Sequence, residues 1–251
     1  MYKKNNMHLF YAPTIQNEVC LLSPDESLHC TKVLRLQVGE EVLVTDGIGN
    51  MYLCTLESLH PKGTTARIVK FVQSAETTVK ERKYIHIAVA PTKNIERLEW
   101  FLEKATELGI SEISFIFCAH SERNTIKTER LQKILVSAMK QSQQAYLPIL
   151  NEPVKYKDFL KKIEEKNSFS GSAQQKFIAY CGNEYPKKDL FTELQKPVSY
   201  LLLVGPEGDF SPEEVAQATQ VQCLPVSLGN TRLRTETAAL YGVFVGNVYG
   251  F

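Results

Sequence analysis

Several common protein classes are excluded by what the chain lacks. Its six cysteines stand at 20, 30, 54, 118, 181 and 223, and no two form a C-x-x-C pair. That spacing suits neither a zinc site nor a small disulfide framework, so no metal is expected. No run of about 18 apolar residues is present, so no membrane-spanning helix is expected. The opening MYKKNNMHLFYA is basic but has no apolar stretch of the kind a secretory leader needs. A reducing cytoplasm is the expected compartment. Net charge is only +1 over 251 residues, and residues 1–75 balance seven Lys/Arg against seven Asp/Glu. A nucleic-acid contact must therefore come from local patches rather than bulk charge. No G-x-G-x-x-G follows the first strand of the α/β part, which argues against a dinucleotide-dependent enzyme.

What is present divides the chain in two. The hydrophobic fraction, 43%, suffices for a buried core. Residues 1–75 read as mainly β. Ser23-Pro24-Asp25-Glu26 has the form of a capping box and predicts a helix to about Leu34. Glu41–Asp46, Met51–Glu57 and Thr64–Val72 read as strands, with Asp46-Gly47 and Gly49-Asn50 at a hairpin turn. A small barrel is the expected outcome. His29, Lys32 and Arg35 would lie along one helix face, either as an RNA-facing edge or as the wet side of the helix. Residues 76–83, containing the polar run Thr77–Lys83, read as a linker.

From 84 to 251 the pattern alternates β and α. Tyr84–Ala90, Ile113–Phe117, Phe177–Cys181, Tyr200–Val204 and Leu224–Ser227 are continuous apolar runs, as in a parallel sheet covered on both faces. Ile95–Leu108 predicts a helix with Leu98, Phe101, Leu102, Ala105 and Leu108 inward, stopped by Gly109. Thr128 to about Ala145 predicts another, and Asn167–Lys176 a surface loop. Arg123, Lys127, Arg130, Lys133 and Lys140 concentrate positive charge between His120 and Lys140, where a solvated helix face is the plain alternative. The last helix, Thr237–Tyr249, is apolar nearly all round and needs cover on every side. Gly242 and Gly246, four apart, let another backbone come close.

The densest information lies in Leu201–Thr237. Two apolar runs, Leu201–Val204 and Leu224–Leu228, each end in a glycine-bearing turn that opens a helical segment. In an open α/β sheet, ligands sit in the crevice beyond such strand ends. Ser211-Pro212-Glu213-Glu214 is a helix start and needs no further role. Gly205 and Gly208 around Pro206-Glu207 suggest a backbone-walled pocket. The second loop packs Arg232, Arg234 and Glu236 among Thr231, Thr235 and Thr237, more polar groups than a plain connection requires.

These residues resemble the 16S ribosomal RNA uridine N3-methyltransferases of the SPOUT class. GPEG followed by F-S-x-E-E, and S-L-G-x-x-x-L-R-T-E-T-A, carry the likeness. Ala105-Thr106-Glu107-Leu108-Gly109-Ile110, Gln141-Ser142 with Leu147-Pro148, and His29 with Val33-Leu34-Arg35 extend it over nearly the whole chain. Asp209 stands where that family usually has glycine, Asn230-Thr231 where it has proline-arginine, and Gln144 where it has arginine. Arg232 could replace the missing loop arginine.

The resemblance implies a PUA-like RNA-binding barrel in residues 1–75 and a knotted parallel-sheet methyltransferase domain in residues 84–251. It implies S-adenosylmethionine as cofactor, held by Val204, Gly205, Pro206, Glu207, Gly208, Ser227, Leu228, Gly229, Leu233, Arg234 and Thr237. It implies a homodimer through the last helix. The substrate would be small-subunit ribosomal RNA or a 30S-type particle, methylated at uridine 1498. His29, Lys32, Arg35, Arg123 and Arg232 are the candidate RNA contacts. The reaction needs no metal. Deprotonated N3 spreads negative charge onto O2 and O4, where a fixed cation lowers the barrier. Arg234 is the candidate, with a phosphate or interface contact as its alternative. Glu236 is the nearest candidate base, although a helix start favours its ionised form and lowers its basicity. Glu207 either contacts ribose or braces the turn. A related methyltransferase for another RNA and a non-catalytic RNA-binding protein remain the competing functions.

Overall fold

Short strands built on alternating apolar residues make up the first of two units in this computed structural model, which describes residues 7–75, 83–165, 175–196 and 198–249. That unit takes the described residues of 1–82 together with Val136–Leu147. Its strands are β1 (Leu9–Tyr11), β2 (Thr14–Gln16), β3 (Val19–Leu21), β4 (Glu41–Thr45), β5 (Met51–Ser58) and β6 (Thr65–Gln73). They form a sheet in the order β1-β4-β5-β6-β3-β2, antiparallel except for β1 beside β4. Register shifts between β5 and β6 curl the sheet. Phe10, Cys20, Leu22, Val42, Val44, Cys54, Leu56 and Ala66 fill its core. Three-residue strands such as β1–β3 are too brief to display a period of two, so the sequence pattern missed them.

Helix α1 (Pro24–Leu28) starts at Ser23, whose hydroxyl accepts the Glu26 N–H at 3.3 Å. The expected capping box closes only on that side. Glu26 instead accepts the Tyr11 N–H at 3.2 Å and pairs with Lys140 at 2.5 Å, both charges being largely buried. The helix then widens into a π turn, His29–Val33, with Leu34 N–H donating to His29 O at 3.0 Å. Arg35 follows with φ of 55°. The expected α-helix to Leu34 is thus replaced by i→i+5 bonding, and His29, Lys32 and Arg35 do not share one α-helical face. Beyond Gln143, which has φ of 55°, Ala145–Leu147 runs against the β4–β5 turn. Ala145 O accepts from Gly49 N–H and Thr45 Oγ1, and Leu147 N–H donates to Gly47 O. Gly49 must be glycine here, because a Cβ would strike the Tyr146 ring.

The second unit holds the described residues of Lys83–Leu135 and Pro148–Phe251. Its strands are β7 (Tyr84–Val89), β8 (Glu112–Phe117), β9 (Ile149–Leu150), β10 (Val154–Lys155), β11 (Gln175–Ala179), β12 (Lys188–Asp189), β13 (Ser199–Val204) and β14 (Leu224–Ser227). All pair in parallel, in the order β10-β8-β7-β13-β11-β14-β12 with β9 on β8. The helices are α2 (Ile95–Glu107), α3 (Thr128–Gln141, its residues from Val136 belonging to the first unit), α4 (Tyr156–Glu165), α5 (Leu190–Glu193), α6 (Pro212–Gln220) and α7 (Thr235–Val248). β13 is buried at every residue, which is why its sequence is apolar without alternation. Gln175 and Lys176, expected in a loop, open β11, while 167–174 lie outside the described residues, as do 76–82 of the expected linker.

Helix α7 is apolar because one of its faces lies on its own sheet. A Cβ on Gly242 would meet Leu202 Cδ2 at 2.5 Å, and one on Gly246 would meet Ile85 Cδ1 at 2.7 Å. The close approach expected from these glycines is therefore to β7 and β13 side chains of the same chain. Asn247 Nδ2 ties the helix to Leu108 O at 2.6 Å. Phe244 (49% exposed) and Val248 (36%) remain uncovered. Among the described residues, no helix is long and apolar enough to cross a membrane, and no cluster of three or more His, Cys, Asp or Glu could hold a metal.

Candidate active site

Where β11, β13 and β14 reach their carboxyl ends, the chain turns three times and leaves a cavity of about 630 Å³. Its walls are 179–181 with Lys187, 204–207 with Asp209, and 226–235 with Ala238. The arrangement is that of an open α/β sheet, with the ligand crevice beyond the strand ends.

The turn after β13 is bonded from all sides. Asp209 N–H donates to Pro206 O at 2.9 Å, and Thr235 Oγ1 donates to Gly205 O at 3.0 Å. Glu207 accepts the Lys93 N–H at 3.1 Å and so braces the turn. Asp209 accepts Cys181 N–H at 3.0 Å and Phe210 N–H at 2.9 Å, and its own O bonds His120 Nδ1 at 3.0 Å. Its φ of 64° lies in the left-handed region. Aspartate tolerates that region better than most residues, which explains its place where the resembling family has glycine. Ser211 and Glu214 close the expected capping box, and Glu214 also accepts Ala119 N–H at 2.8 Å. Gly205 and Gly208 make room for protein rather than ligand: a Cβ on Gly205 would meet the Phe210 ring at 3.0 Å, and one on Gly208 the His120 Cβ at 3.1 Å.

The loop after β14 is different. Gly229 has φ of 103° and open space where a side chain would be. Asn230, Thr231, Arg232 and Arg234 are exposed. Among the described residues, Arg232 Nη2 reaches Glu207 O at 3.5 Å. Arg234 is the N-cap of α7 and makes no capping bond. A cation there faces the positive end of the helix dipole, and a serine or aspartate would serve the helix better.

The third wall follows β11. Tyr180 donates to Glu184 at 2.5 Å, a bond that pushes its phenol up to about 12, with burial adding to the shift. Lys187 donates to Cys181 O at 3.0 Å and to Gly182 O, and stands 5.6 Å from the centre of the Tyr180 ring.

Of the expected cofactor contacts, Val204, Gly205, Pro206, Glu207, Ser227, Leu228, Gly229, Leu233 and Arg234 line this cavity. Gly208 and Thr237 do not; α7 begins two residues earlier than expected, leaving Thr237 exposed in its first turn. Glu236 is also outside the wall, buried, with Oε1 3.8 Å from Arg97 Nε. Of the expected RNA contacts, Arg232 is on the wall, whereas Arg123 donates to Thr92 O and Lys93 O. His29, Lys32 and Arg35 belong to the first unit. Tyr180, Cys181 and Lys187 were not among the expected site residues, although the end of the apolar run Phe177–Cys181 was a signal for them.

Residues 79–245 match the RNA methyltransferase domain family, and residues 22–69 match the RNA methyltransferase PUA domain. The chain belongs to the RNA methyltransferase domain family. This RNA methyltransferase is similar to a solved probable rRNA-methyltransferase from Porphyromonas gingivalis, with 38% identity, TM-score 0.80 and coverage of 95% of this chain and 96% of the other. It is similar to ribosomal RNA small subunit methyltransferase E from Neisseria gonorrhoeae, solved bound to S-adenosyl methionine, with 27% identity, TM-score 0.74 and coverage of 95% and 96%. It is also 27% identical over 239 residues to ribosomal RNA small subunit methyltransferase E of Mycobacterium bovis, covering 92% of this chain and 87% of the other.

Proposed function

We propose that the chain is an S-adenosylmethionine-dependent methyltransferase acting on N3 of a uridine in small-subunit ribosomal RNA. The observation that carries this reading is Arg234, exposed on the cavity wall at a helix N-cap that it does not cap. The cavity volume falls within the roughly 300–1,000 Å³ usual for small-ligand sites. Its walls offer backbone, apolar side chains and a few charges, which fits adenine, ribose and an amino-acid tail.

The cofactor supplies an already activated methyl group. The protein must hold a uridine in line with it and exclude water. When N3 gives up its proton, charge moves to O2 and O4, and the Arg234 guanidinium can donate to either oxygen. Glu236 we assign to bracing α7 against Arg97, because burial holds it off the cavity wall. Arg232, beside Thr231 on the wall, is the cation we assign to the incoming RNA. The curled sheet of the first unit is proposed to read the folded small subunit in the cytoplasm, with residues 1–75 and 84–251 dividing recognition from chemistry. The C-terminal segment is proposed to be knotted, as in the resembling family.

Thermal melting with S-adenosylmethionine and methylation of 30S particles test the reading together. The cofactor should raise the melting temperature by mass action, while NAD and ATP should not. Mass spectrometry of rRNA from a deletion strain should show one N3-methyluridine missing; loss of a different modification would make another RNA site the target. We further propose a homodimer through the uncovered face of α7. Phe244→Arg should give a folded monomer by light scattering, and a monomeric parent protein would refute the dimer.

A further inference from the structure

We propose that Lys187 holds the α-carboxylate of the bound S-adenosylmethionine, and so sets the site's preference for ligands that carry the amino-acid tail. This rests on the S-adenosylmethionine reading given above. Three cations line the cavity: Lys187, Arg232 and Arg234. They stand on two walls, Lys187 after β11 and the two arginines after β14. A carboxylate bound at Arg234 would form an ion pair with the guanidinium that has to stabilise the uridine oxygens, and would cancel its charge. Arg232 lies on the Glu207 side of the cavity. Arg232 is assigned above to the incoming RNA, and Lys187 carries neither of these duties.

Its local geometry is prepared for an anion. Cys181 O and Gly182 O each take one ammonium hydrogen. An ammonium has three donors, so one is left over. Among the described residues Lys187 forms no ion pair: the nearby Glu184 carboxylate is bonded to the Tyr180 hydroxyl, and the Asp209 oxygens take the Cys181 and Phe210 amides. The Tyr180 ring fixes the lysine from one side. A Cβ at Gly182 would collide with the Tyr180 hydroxyl and Glu184, so this loop is closely packed. Two carbonyls and a ring thus hold a lysine on the wall of the cavity; Glu184 feels its charge from a distance but is bonded to Tyr180 rather than paired with it.

The test compares two ligands by calorimetry without RNA: S-adenosylhomocysteine, and S-adenosyl-3-thiopropylamine, which lacks only the carboxylate. The parent protein should prefer S-adenosylhomocysteine by about 10- to 100-fold, the range of a charge-assisted bond. Lys187→Met should lose most of that preference through weaker S-adenosylhomocysteine binding, leaving the second ligand's affinity within about twofold. Lys187→Gln, uncharged but still a donor, should behave the same if Lys187→Met does not fold. Lys187→Arg should keep a large part of the preference. A parent-like ratio in Lys187→Met and Lys187→Gln would overturn the assignment while leaving the cofactor reading intact. A parent protein that binds neither ligand would overturn both.

Discussion

The turn after β13 and the loop after β14 face each other across one cavity, yet they use their polar groups in opposite ways. In the first, Glu207, Asp209 and the Gly205 carbonyl are all bonded within the fold. In the second, Gly229 has open space beside it and Arg234 caps nothing. A bonded turn gives a ligand a fixed surface, since little has to be reordered on binding. A loop with spare cations gives reacting atoms something to bind. The likeness in sequence, two glycine-bearing turns after two apolar strands, conceals this division.

Substitutions at three positions would break or sharpen the contrast. The largest effect belongs to Arg234→Ala: single-turnover methylation should fall by roughly 10²–10³, the usual loss for one charge-stabilising donor, with cofactor affinity little changed. Arg234→Lys should recover little, because lysine lacks the planar fork. A rate for Arg234→Ala within a few-fold of the parent would move the chemistry to another residue. Asp209→Ala comes next. It removes two acceptor contacts and leaves an alanine at a left-handed φ, a loss of about 2–3 kcal/mol in urea unfolding. Asp209→Gly relieves the strain but not the lost bonds, so it should cost about 1 kcal/mol less; equal losses would show that φ is not part of the cost. Gly229→Ala should destabilise by about 1 kcal/mol through φ alone, since no atom obstructs its Cβ. Arg234→Ser should have the smallest effect on folding and the opposite sign. It should stabilise by about 0.5–1 kcal/mol, because serine caps a helix that arginine does not, while turnover is lost. A fall in stability for that variant would mean the arginine serves the fold.

How far the sequence could be read depended on whether a residue's partner was near in the chain. Ser23-Pro24-Asp25-Glu26 and Ser211-Pro212-Glu213-Glu214 present the same signature. Glu214 closes its box and gains a distant bond to Ala119, whereas Glu26 leaves its box for Tyr11 and Lys140. No local pattern records a lysine 114 positions away. The π turn after α1 is invisible for a related reason, since apolar periodicity does not distinguish i→i+4 from i→i+5 bonding over one turn. Lys187 was missed because its sequence neighbours are polar and irregular, and only the return of β12 to the sheet brings it to the cavity.

The sequence by itself determined the parallel sheet, through its unbroken apolar runs, and the position of the cavity, through the glycine turns that end them. It also marked Arg234, because polar residues crowded between apolar elements stand out without knowledge of the fold. Tertiary structure alone decided which polar groups were left over. It gave Gly208's space to His120 and took up Arg123 on two carbonyls, while leaving Arg234 without a capping bond. The physical reason is that apolar burial and backbone conformation follow short-range patterns, whereas a hydrogen-bonding group's availability depends on every partner the finished fold brings near it.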